Sequence, residues 1–243
     1  MTELRKIAQK SAVETIDEGL RQYMVSVFNY MGAGLCLTAL TAWIVANTPV
    51  IGWFFNVDMA AGTVSVSALG WIVTFAPLIM IFAFNSVIQN RSLSAAQGMF
   101  WAFSAVMGAS LANIFLLYTA ESMTRVFLIT AATFGGMSLL GYTTKKDLTS
   151  IGSFLIMGVW GILIASIVNI FMKSEGLYYA ISYIAVIVFT GLTAYDVQHI
   201  KNMYYSSDSR DTMARKAIIG ALNLYLDFIN LFIALLRIMG NRR

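Results

Sequence analysis

Two aspartates, Asp196 and Asp227, lie in stretches of sequence that are otherwise apolar, GLTAYDVQHI and ALNLYLDFINLFIALLRIMG. If these stretches are membrane helices, both carboxylates are costly, because a charge near the bilayer centre costs roughly 2.5–3.5 kcal/mol on insertion scales. Ionisable side chains kept at that cost have a function by default, which makes both aspartates candidate site residues. The alternative is a structural hydrogen-bond network that only locks two helices together.

Asp227 is the deeper of the two. It lies about ten residues into its apolar segment, roughly 15 Å along a helix that rises 1.5 Å per residue. Its short side chain therefore does not reach the membrane surface. Asn223 lies four residues before it and Asn230 three residues after it, so the three polar side chains share one helix face. Such a polar stripe is expected to face the interior of a helix bundle or water.

Asp196 lies closer to the end of its segment, with Thr193 and His199 three residues to either side on the same face. Alone, it has an ordinary interpretation as a helix-end carboxylate in water. Asp196 becomes a candidate site residue because it is expected to pair with Asp227. The two segments are consecutive and joined by a short loop, so we expect antiparallel neighbours whose carboxylates project into the same half of the bundle.

Two carboxylates that meet in a medium of low dielectric constant do not both stay ionised cheaply, so the pair is expected to share a proton over some pH range. The pair is also a site of negatively charged oxygen, which suits a hard cation such as Ca²⁺. Proton and cation would compete for it. His199 is the only histidine and Cys36 the only cysteine, which disfavours a zinc or copper site. No motif indicates an enzyme or a bound cofactor.

The amino-acid composition indicates that membrane-spanning helices position these residues. Of 243 residues, 58% are hydrophobic and 12% are charged, against about 25% charged in an ordinary soluble domain. Hydrocarbon is therefore expected to surround most of the surface. Spanning a layer of ~30 Å takes about 20 apolar residues in a helix. The candidate spanning segments are 23–46, 68–88, 95–117, 126–142, 151–172, 177–200 and 217–239. The predicted fold class is all-α, a polytopic membrane bundle of seven transmembrane helices.

The remaining residues form tails and loops. Residues 1–22 carry both signs of charge and no apolar run, which predicts an N-terminal tail rather than a signal peptide. Residues 23–239 form the membrane domain, and 240–243 a short basic tail. The longest internal loops are 47–67 and 201–216. The helices of a bundle are expected to touch where small residues allow close approach. The candidate glycines are Gly108, Gly135, Gly136, Gly141, Gly152, Gly158 and Gly161.

Most lysines and arginines fall on the face of the N-terminal tail when the segments alternate. They are Arg5, Lys6, Lys10, Arg21, Arg91, Lys145, Lys146, Lys201, Arg210, Arg215 and Lys216. Because basic loops stay inside, we expect the N-terminus in the cytoplasm and the C-terminus outside. A re-entrant seventh segment would return the C-terminus to the cytoplasm. The net charge of +4 does not indicate nucleic acid, since the basic residues lie in short loops and tails.

These residues bring the sequence to a known family. The chain resembles the transmembrane Bax inhibitor-1 motif family, and most closely its bacterial branch. The similarity rests on TAYDVQHIK and ALNLYLDFINLFIALLRIMG, supported by KKDLTSIGSFLIMG, NRSLSAAQ and MGASLANIF. It covers nearly the whole membrane region, and the last segment is its most specific part.

The resemblance implies a bundle in which six helices surround a central one, and a pH-sensitive Ca²⁺ leak across the bacterial inner membrane. An aspartate pair acts as the proton sensor in such proteins, and by motif it falls on Asp196 and Asp227. Some members carry an arginine on the second helix that latches onto the pair. The matching position here is Asn90, with Arg91 beside it as a possible substitute.

The resemblance also implies a function of a different class. Bacterial relatives are similar to proteins that restrain a membrane-bound quality-control protease, and the N-terminal tail is then the expected contact. In that alternative the aspartate pair is purely structural. A proton-coupled transporter is a third possibility, but the last two segments contain no proline that would break a helix.

Overall fold

A computed structural model describes residues 2–58 and 63–242 of the chain, with side chains over 18–55 and 65–242. The predicted all-α membrane fold is confirmed, because seven helices are long and apolar enough to cross a bilayer. In chain order the elements are α1 (Thr2–Ala46), α2 (Ile51–Phe54), β1 (Phe55–Asp58), β2 (Thr63–Val66), α3 (Ala68–Asn90), α4 (Leu93–Leu111), α5 (Ile114–Leu117), α6 (Ala120–Thr143), α7 (Thr149–Met172), α8 (Glu175–Asn202) and α9 (Arg210–Met239).

The first helix runs from the predicted tail into the membrane without a break. Helix α1 is 45 residues long, and its part Glu18–Ala46 is long and apolar enough to span a membrane. The backbone of residues 2–17 continues this helix towards the N-terminus. The predicted tail boundary at residue 22 does not coincide with any change of secondary structure.

Helix α6 begins earlier than the sequence predicted. Its polar first turns looked like part of a loop, which made segment 126–142 the shortest of the seven. The structure begins the helix at Ala120, and α6 has 24 residues. The Thr119 hydroxyl accepts a hydrogen bond from the Ser122 amide, and Glu121 lies in the first turn. Both features stabilise a helix N-terminus, so these polar residues start the helix rather than end the loop.

The loop 47–67 contains structure that the sequence did not reveal. Strands β1 and β2 pair antiparallel, with Phe55 opposite Val66. Phe55 is buried beside Val45 of α1 and Ala112, which follows the last residue of α4. The hairpin therefore closes the end of the bundle between α1 and α4.

Helix α9 is the centre of the bundle. It packs against α1, α4, α6 and α8, whereas α3 packs mainly on α4 and α7 on α8. In the most apolar 18-residue stretch of α9, 67% of the residues are buried, whereas 6% are buried in the corresponding stretch of α7. An apolar helix buried on most sides must be enclosed by other helices, while α7 presents a surface suited to lipid.

The end of α9 shows that the seventh segment crosses the bundle completely. Its 30 residues extend about 45 Å. Beyond Met239, the Asn241 carbonyl accepts a hydrogen bond from the Thr119 amide, and Arg125 donates to the Met239 carbonyl. The C-terminus thus lies at the start of α6, on the face opposite the loop between α8 and α9. A re-entrant seventh segment is excluded in this structure.

Only some of the candidate glycines mark helix contacts. A Cβ at Gly141 of α6 would collide with the backbone carbonyl of Ala194 in α8, and one at Gly152 of α7 with the Tyr195 ring. Gly108 packs in the same way on the backbone of α1. In contrast, Gly136 has no neighbouring atom within 4 Å of its Cβ position. The close approach of α6 to α8 therefore depends on Gly141.

Gly141→Ala is expected to destabilise the bundle because the added methyl group meets backbone, which cannot move aside like a flexible side chain. Overpacking of this kind costs about 1–3 kcal/mol. Gly136→Ala on the same helix is the matched control, and it is expected to be neutral or stabilising, since alanine favours helix. Thermal unfolding in detergent measures both. Equal melting temperatures for the two variants would contradict the contact.

Candidate functional site: a buried aspartate pair

Antiparallel pairing of α8 and α9 positions the two aspartates. Gly220 of α9 faces the Ile200 side chain of α8, which fixes how far one helix is shifted along the other. The loop between them is held by Lys216, whose ammonium group lies 2.6 Å from the Asp208 carboxylate and donates to the Met203 carbonyl. Because the two helices are held in this register, Asp196 of α8 and Asp227 of α9 lie near one level of the bundle.

The carboxyl groups of Asp196 and Asp227 are neighbours whose charges interact. Asp227 is only 4% exposed, and Asp196 is half-buried. The Oδ2 atom of Asp227 is fully buried and accepts no hydrogen bond from the described residues. Asp227 lies deeper in its apolar segment than Asp196 does, yet the two side chains are neighbours.

No cation neutralises the pair. Among the described side chains, no lysine, arginine or histidine nitrogen lies within 4.0 Å of either carboxyl group. Lys201, five residues beyond Asp196, donates instead to the Tyr142 carbonyl at the end of α6. His199 interacts with Asp196 electrostatically, but it is exposed and stacks on Tyr195. Among the described residues, neither carboxyl group therefore forms an ion pair, and His199 acts on Asp196 only from beyond 4.0 Å.

A shared proton is the simplest way for the pair to stay buried. An ionised carboxylate only accepts hydrogen bonds, so a bond between two carboxyl groups requires a proton on one of them. Two unit charges ~4 Å apart repel by roughly 4 kcal/mol at an effective dielectric constant of about 20. If both carboxyl groups were ionised, their repulsion would therefore oppose the contact between α8 and α9.

Helices α6 and α8 carry buried neutral oxygen atoms. From α6, Phe134 packs its ring against Phe228, the residue after Asp227. Ser138 of α6 and Thr190 of α8 have buried hydroxyl oxygens without a hydrogen-bond partner among the described residues. Both helices that carry these hydroxyls pack against α9.

The predicted supporting residues have different surroundings. Thr193 is fully buried and donates its hydroxyl hydrogen to the Phe189 carbonyl of its own helix. Asn223 and Asn230 are half-buried on α9, and neither amide hydrogen-bonds to Asp227. They continue the polar stripe along the helix without closing the aspartate pair.

Arg91 does not contact the pair in this structure. It follows the last residue of α3, its side chain is exposed, and it forms no ion pair with any described carboxylate. The latch that the resemblance implied is therefore absent from this conformation. The cation that lies at the end of α3 is Arg215 of α9, which donates to the Ile88 carbonyl and pairs with Asp211.

The aspartate pair supplies only some of the oxygen ligands that a divalent cation requires. No group of three or more histidine, cysteine or acidic side chains converges within the described ranges. Ca²⁺ takes 6–8 oxygen ligands, and two carboxylates supply at most four of them. Water and neutral oxygens would have to supply the rest, so the donor set fits a passing hard cation better than a tightly held one.

Sequence reasoning missed a second buried polar cluster beside the pair. The Tyr225 hydroxyl of α9 lies 2.7 Å from the Thr38 hydroxyl of α1. Thr38 also lies 2.9 Å from the Gly34 carbonyl and 2.8 Å from the Ser104 carbonyl of α4. Because the single hydroxyl hydrogen of Thr38 goes to a carbonyl, Tyr225 is the donor to Thr38. This cluster ties α1, α4 and α9 together two residues before Asp227.

The comparisons with known proteins agree with this arrangement of helices. The family model described as inhibitor of apoptosis-promoting Bax1 matches residues 20–243. The chain belongs to this family. The match includes both aspartates and all seven spanning segments apart from the first two residues of Glu18–Ala46.

Relatives in several bacteria align over nearly their full lengths. The inner membrane protein YbhL of Escherichia coli is 46% identical over 227 residues, which cover 93% of this chain and 94% of that protein. An uncharacterized protein of Rickettsia prowazekii is 42% identical over 98% of both chains. An uncharacterized membrane protein of Streptococcus pyogenes is 32% identical over 92% of this chain and 94% of its own length. This family member is an integral membrane protein.

The Thr38–Tyr225 cluster is tested by a double-mutant cycle. Thr38→Val leaves the buried Tyr225 hydroxyl without its acceptor and is expected to cost about 1–3 kcal/mol, while Tyr225→Phe is expected to cost about 0.5–1.5 kcal/mol. The double variant should cost less than the sum, because no orphaned hydroxyl remains. Thermal unfolding of the four proteins in detergent measures the coupling.

Thr130→Val is the control for this cycle. Thr130 is equally buried, but it hydrogen-bonds only to the Val126 carbonyl of its own helix. It should show no coupling to Tyr225→Phe. Strict additivity of Thr38→Val and Tyr225→Phe would show that the two hydroxyl groups do not interact.

Proposed function

We propose that the protein is a pH-sensitive cation leak pathway of the inner membrane, with Ca²⁺ as its ion and the N-terminus in the cytoplasm. The proton sensor is the pair of Asp196 and Asp227. The observation that carries this proposal is a pair of adjoining carboxyl groups, one of them fully buried, without a compensating cation. No catalytic step is part of the proposed function.

The charge of the pair controls the helix contact in this mechanism. With one proton shared, α8 and α9 are held together through the two carboxyl groups. Without it, a repulsion of roughly 4 kcal/mol is enough to shift a two-state equilibrium by about three orders of magnitude. A cation that enters between the carboxylates offsets the same repulsion. Proton and Ca²⁺ thus compete for one site, and both bias the contact between α8 and α9.

Neutral oxygens support passage of the ion on either side of the pair. Ser138 and Thr190 offer buried, unpartnered hydroxyls, and Asn223 and Asn230 continue the polar stripe along α9. Conduction requires sites that bind strongly enough for entry and weakly enough for release. A site with only two acidic ligands satisfies the second condition. His199, at the surface, adds to the field at Asp196 when it is protonated.

Asp227→Asn is expected to abolish the pH dependence of Ca²⁺ flux, because the amide cannot ionise and the pair loses its shared proton. Asp196→Asn should have the same effect. Flux is measured with purified protein in liposomes that contain a Ca²⁺-sensitive dye, over a series of external pH values. Asp147→Asn is the matched control, since Asp147 is exposed in the loop before α7.

The control should keep both the flux and its pH dependence. The leak mechanism is wrong if Asp227→Asn behaves as the parent does at every pH. It is also wrong if the parent passes no Ca²⁺ while the reconstituted protein remains folded.

A second candidate function is supported by the N-terminal helix. The backbone of residues 2–17 is the helical start of α1, and the family match begins only at residue 20. A charged helical segment outside the family match can serve as a contact for another membrane protein. We propose a membrane-bound quality-control protease as that partner.

Deletion of residues 2–17 separates the two functions. If the protein acts through a partner, the truncated form should lose the cellular phenotype while its Ca²⁺ flux in liposomes stays intact. If it acts as a leak, the truncated form should keep both. Loss of flux on truncation would contradict the assignment of residues 2–17 to partner binding alone.

A further inference from the structure

Two adjoining cavities lie at the end of the bundle that carries the C-terminus. One has a volume of about 400 Å³ and is lined by α7, α8 and α9, including Arg237. The other, of about 250 Å³, lies between the end of α7 and the start of α8 and includes Lys173 and Arg242. Both are lined by Asn169 and Tyr178. We call them together the Tyr178 cavities.

Positive charge is concentrated in the Tyr178 cavities. Arg237 is half-buried in the last turn of α9, and its guanidinium carbon lies 5.3 Å from the centre of the Tyr178 ring. Arg242 lies 5.8 Å from the centre of the same ring and donates to the Tyr178 hydroxyl. Lys173 is at the rim. Glu175, exposed at the same rim, is the only carboxylate among the lining residues.

Arg237 has no ion-pair partner among the described residues. Within the same ranges its guanidinium donates to no protein oxygen, and it lies against the Tyr178 ring. A half-buried cation without an anion is unfavourable, and a guanidinium has five N–H donors in a planar fork. The same fork matches phosphate oxygens in a bidentate arrangement. The cavity that Arg237 lines therefore suits an anion with several oxygens.

The cavity walls indicate where such an anion comes from. Ile170 and Ile181 give the larger cavity apolar walls, and Phe171 and Met172 beside it are 82% and 64% exposed. Helix α7 presents a surface suited to lipid, and a spanning helix of its length would place its end near the headgroups. The N-terminus of α8 adds partial positive charge at the same level. Polar groups near water and apolar walls below them fit the headgroup and first acyl carbons of a phospholipid.

We propose that the Tyr178 cavities bind the phosphate group of an anionic phospholipid, with Arg237 as the main ligand. Lys173 and Arg242 attract the headgroup at the rim, and Ser166 and Asn169 offer neutral hydrogen bonds within the cavities. The site lies on the face opposite the loop between α8 and α9. Because Arg237 is ten residues beyond Asp227 on the central helix, the bound lipid would anchor the outer end of that helix.

The test compares two lipids with the same acyl chains, one with an anionic headgroup and one with a zwitterionic headgroup. Native mass spectrometry of the full chain, released from micelles, measures retention of phosphatidylglycerol and of phosphatidylcholine with the same acyl chains. The parent should retain phosphatidylglycerol preferentially, and Arg237→Gln should weaken its retention about tenfold, the loss typical of one charge-assisted hydrogen-bonded contact. Arg91→Gln removes an exposed arginine at the other face and should leave retention unchanged.

Three results would overturn the proposal. One is equal retention of the two lipids by the parent, and another is equal retention of phosphatidylglycerol by the parent and Arg237→Gln. The third is thermal stabilisation of the parent, but not of Arg237→Gln, by inorganic phosphate without any lipid preference, which would assign the site to a free anion. Should Arg237→Gln fail to fold, Lys173→Gln at the rim is measured instead. Weaker retention of phosphatidylglycerol by Lys173→Gln would support the lipid site, and unchanged retention would contradict it.

Discussion

The structure depends on one electrostatic constraint: the carboxyl groups of two consecutive helices are neighbours, and no described cation forms an ion pair with either of them. Asp227 is 4% exposed, and a charge at such a position is tolerated only when it is paired, hydrogen-bonded or protonated. In the proposed mechanism, a shared proton satisfies this constraint and couples the contact between α8 and α9 to pH. The same contact holds the most buried helix of the bundle in its place, so a change in protonation acts on the centre of the fold.

The surrounding helices hold α9 through contacts that leave little freedom. Gly141 lets α6 approach the backbone of α8, and the Thr38–Tyr225 hydrogen bond ties α1 to α9. Packed interfaces of this kind shift between discrete arrangements rather than deform gradually. A local repulsion at the aspartate pair would therefore move whole helices. The Lys216–Asp208 ion pair keeps the loop between α8 and α9 closed beneath the pair.

Sequence reasoning recovered the features that follow from the cost of burying charge. Apolar runs identified the seven spanning segments, and the two aspartates stood out because a membrane excludes them. It failed where a residue's partner is distant in the chain. Gly136 and Gly141 look alike in sequence, yet only Gly141 faces another backbone. The Thr38–Tyr225 contact joins residues 187 positions apart, and nothing local marks either one. The polar residues before Val126 predict a loop, but in the structure they form the first turns of α6.

Infrared difference spectroscopy of the reconstituted protein tests the shared proton most directly. A protonated carboxyl group absorbs apart from ionised carboxylates, and isotope-labelled aspartate assigns the band to these side chains. The account predicts a protonated-carboxyl band that disappears as the pH is raised and that is lost when either Asp196 or Asp227 is replaced by asparagine. A band that survives in both variants, or a parent spectrum with only ionised aspartates at every pH, would contradict it.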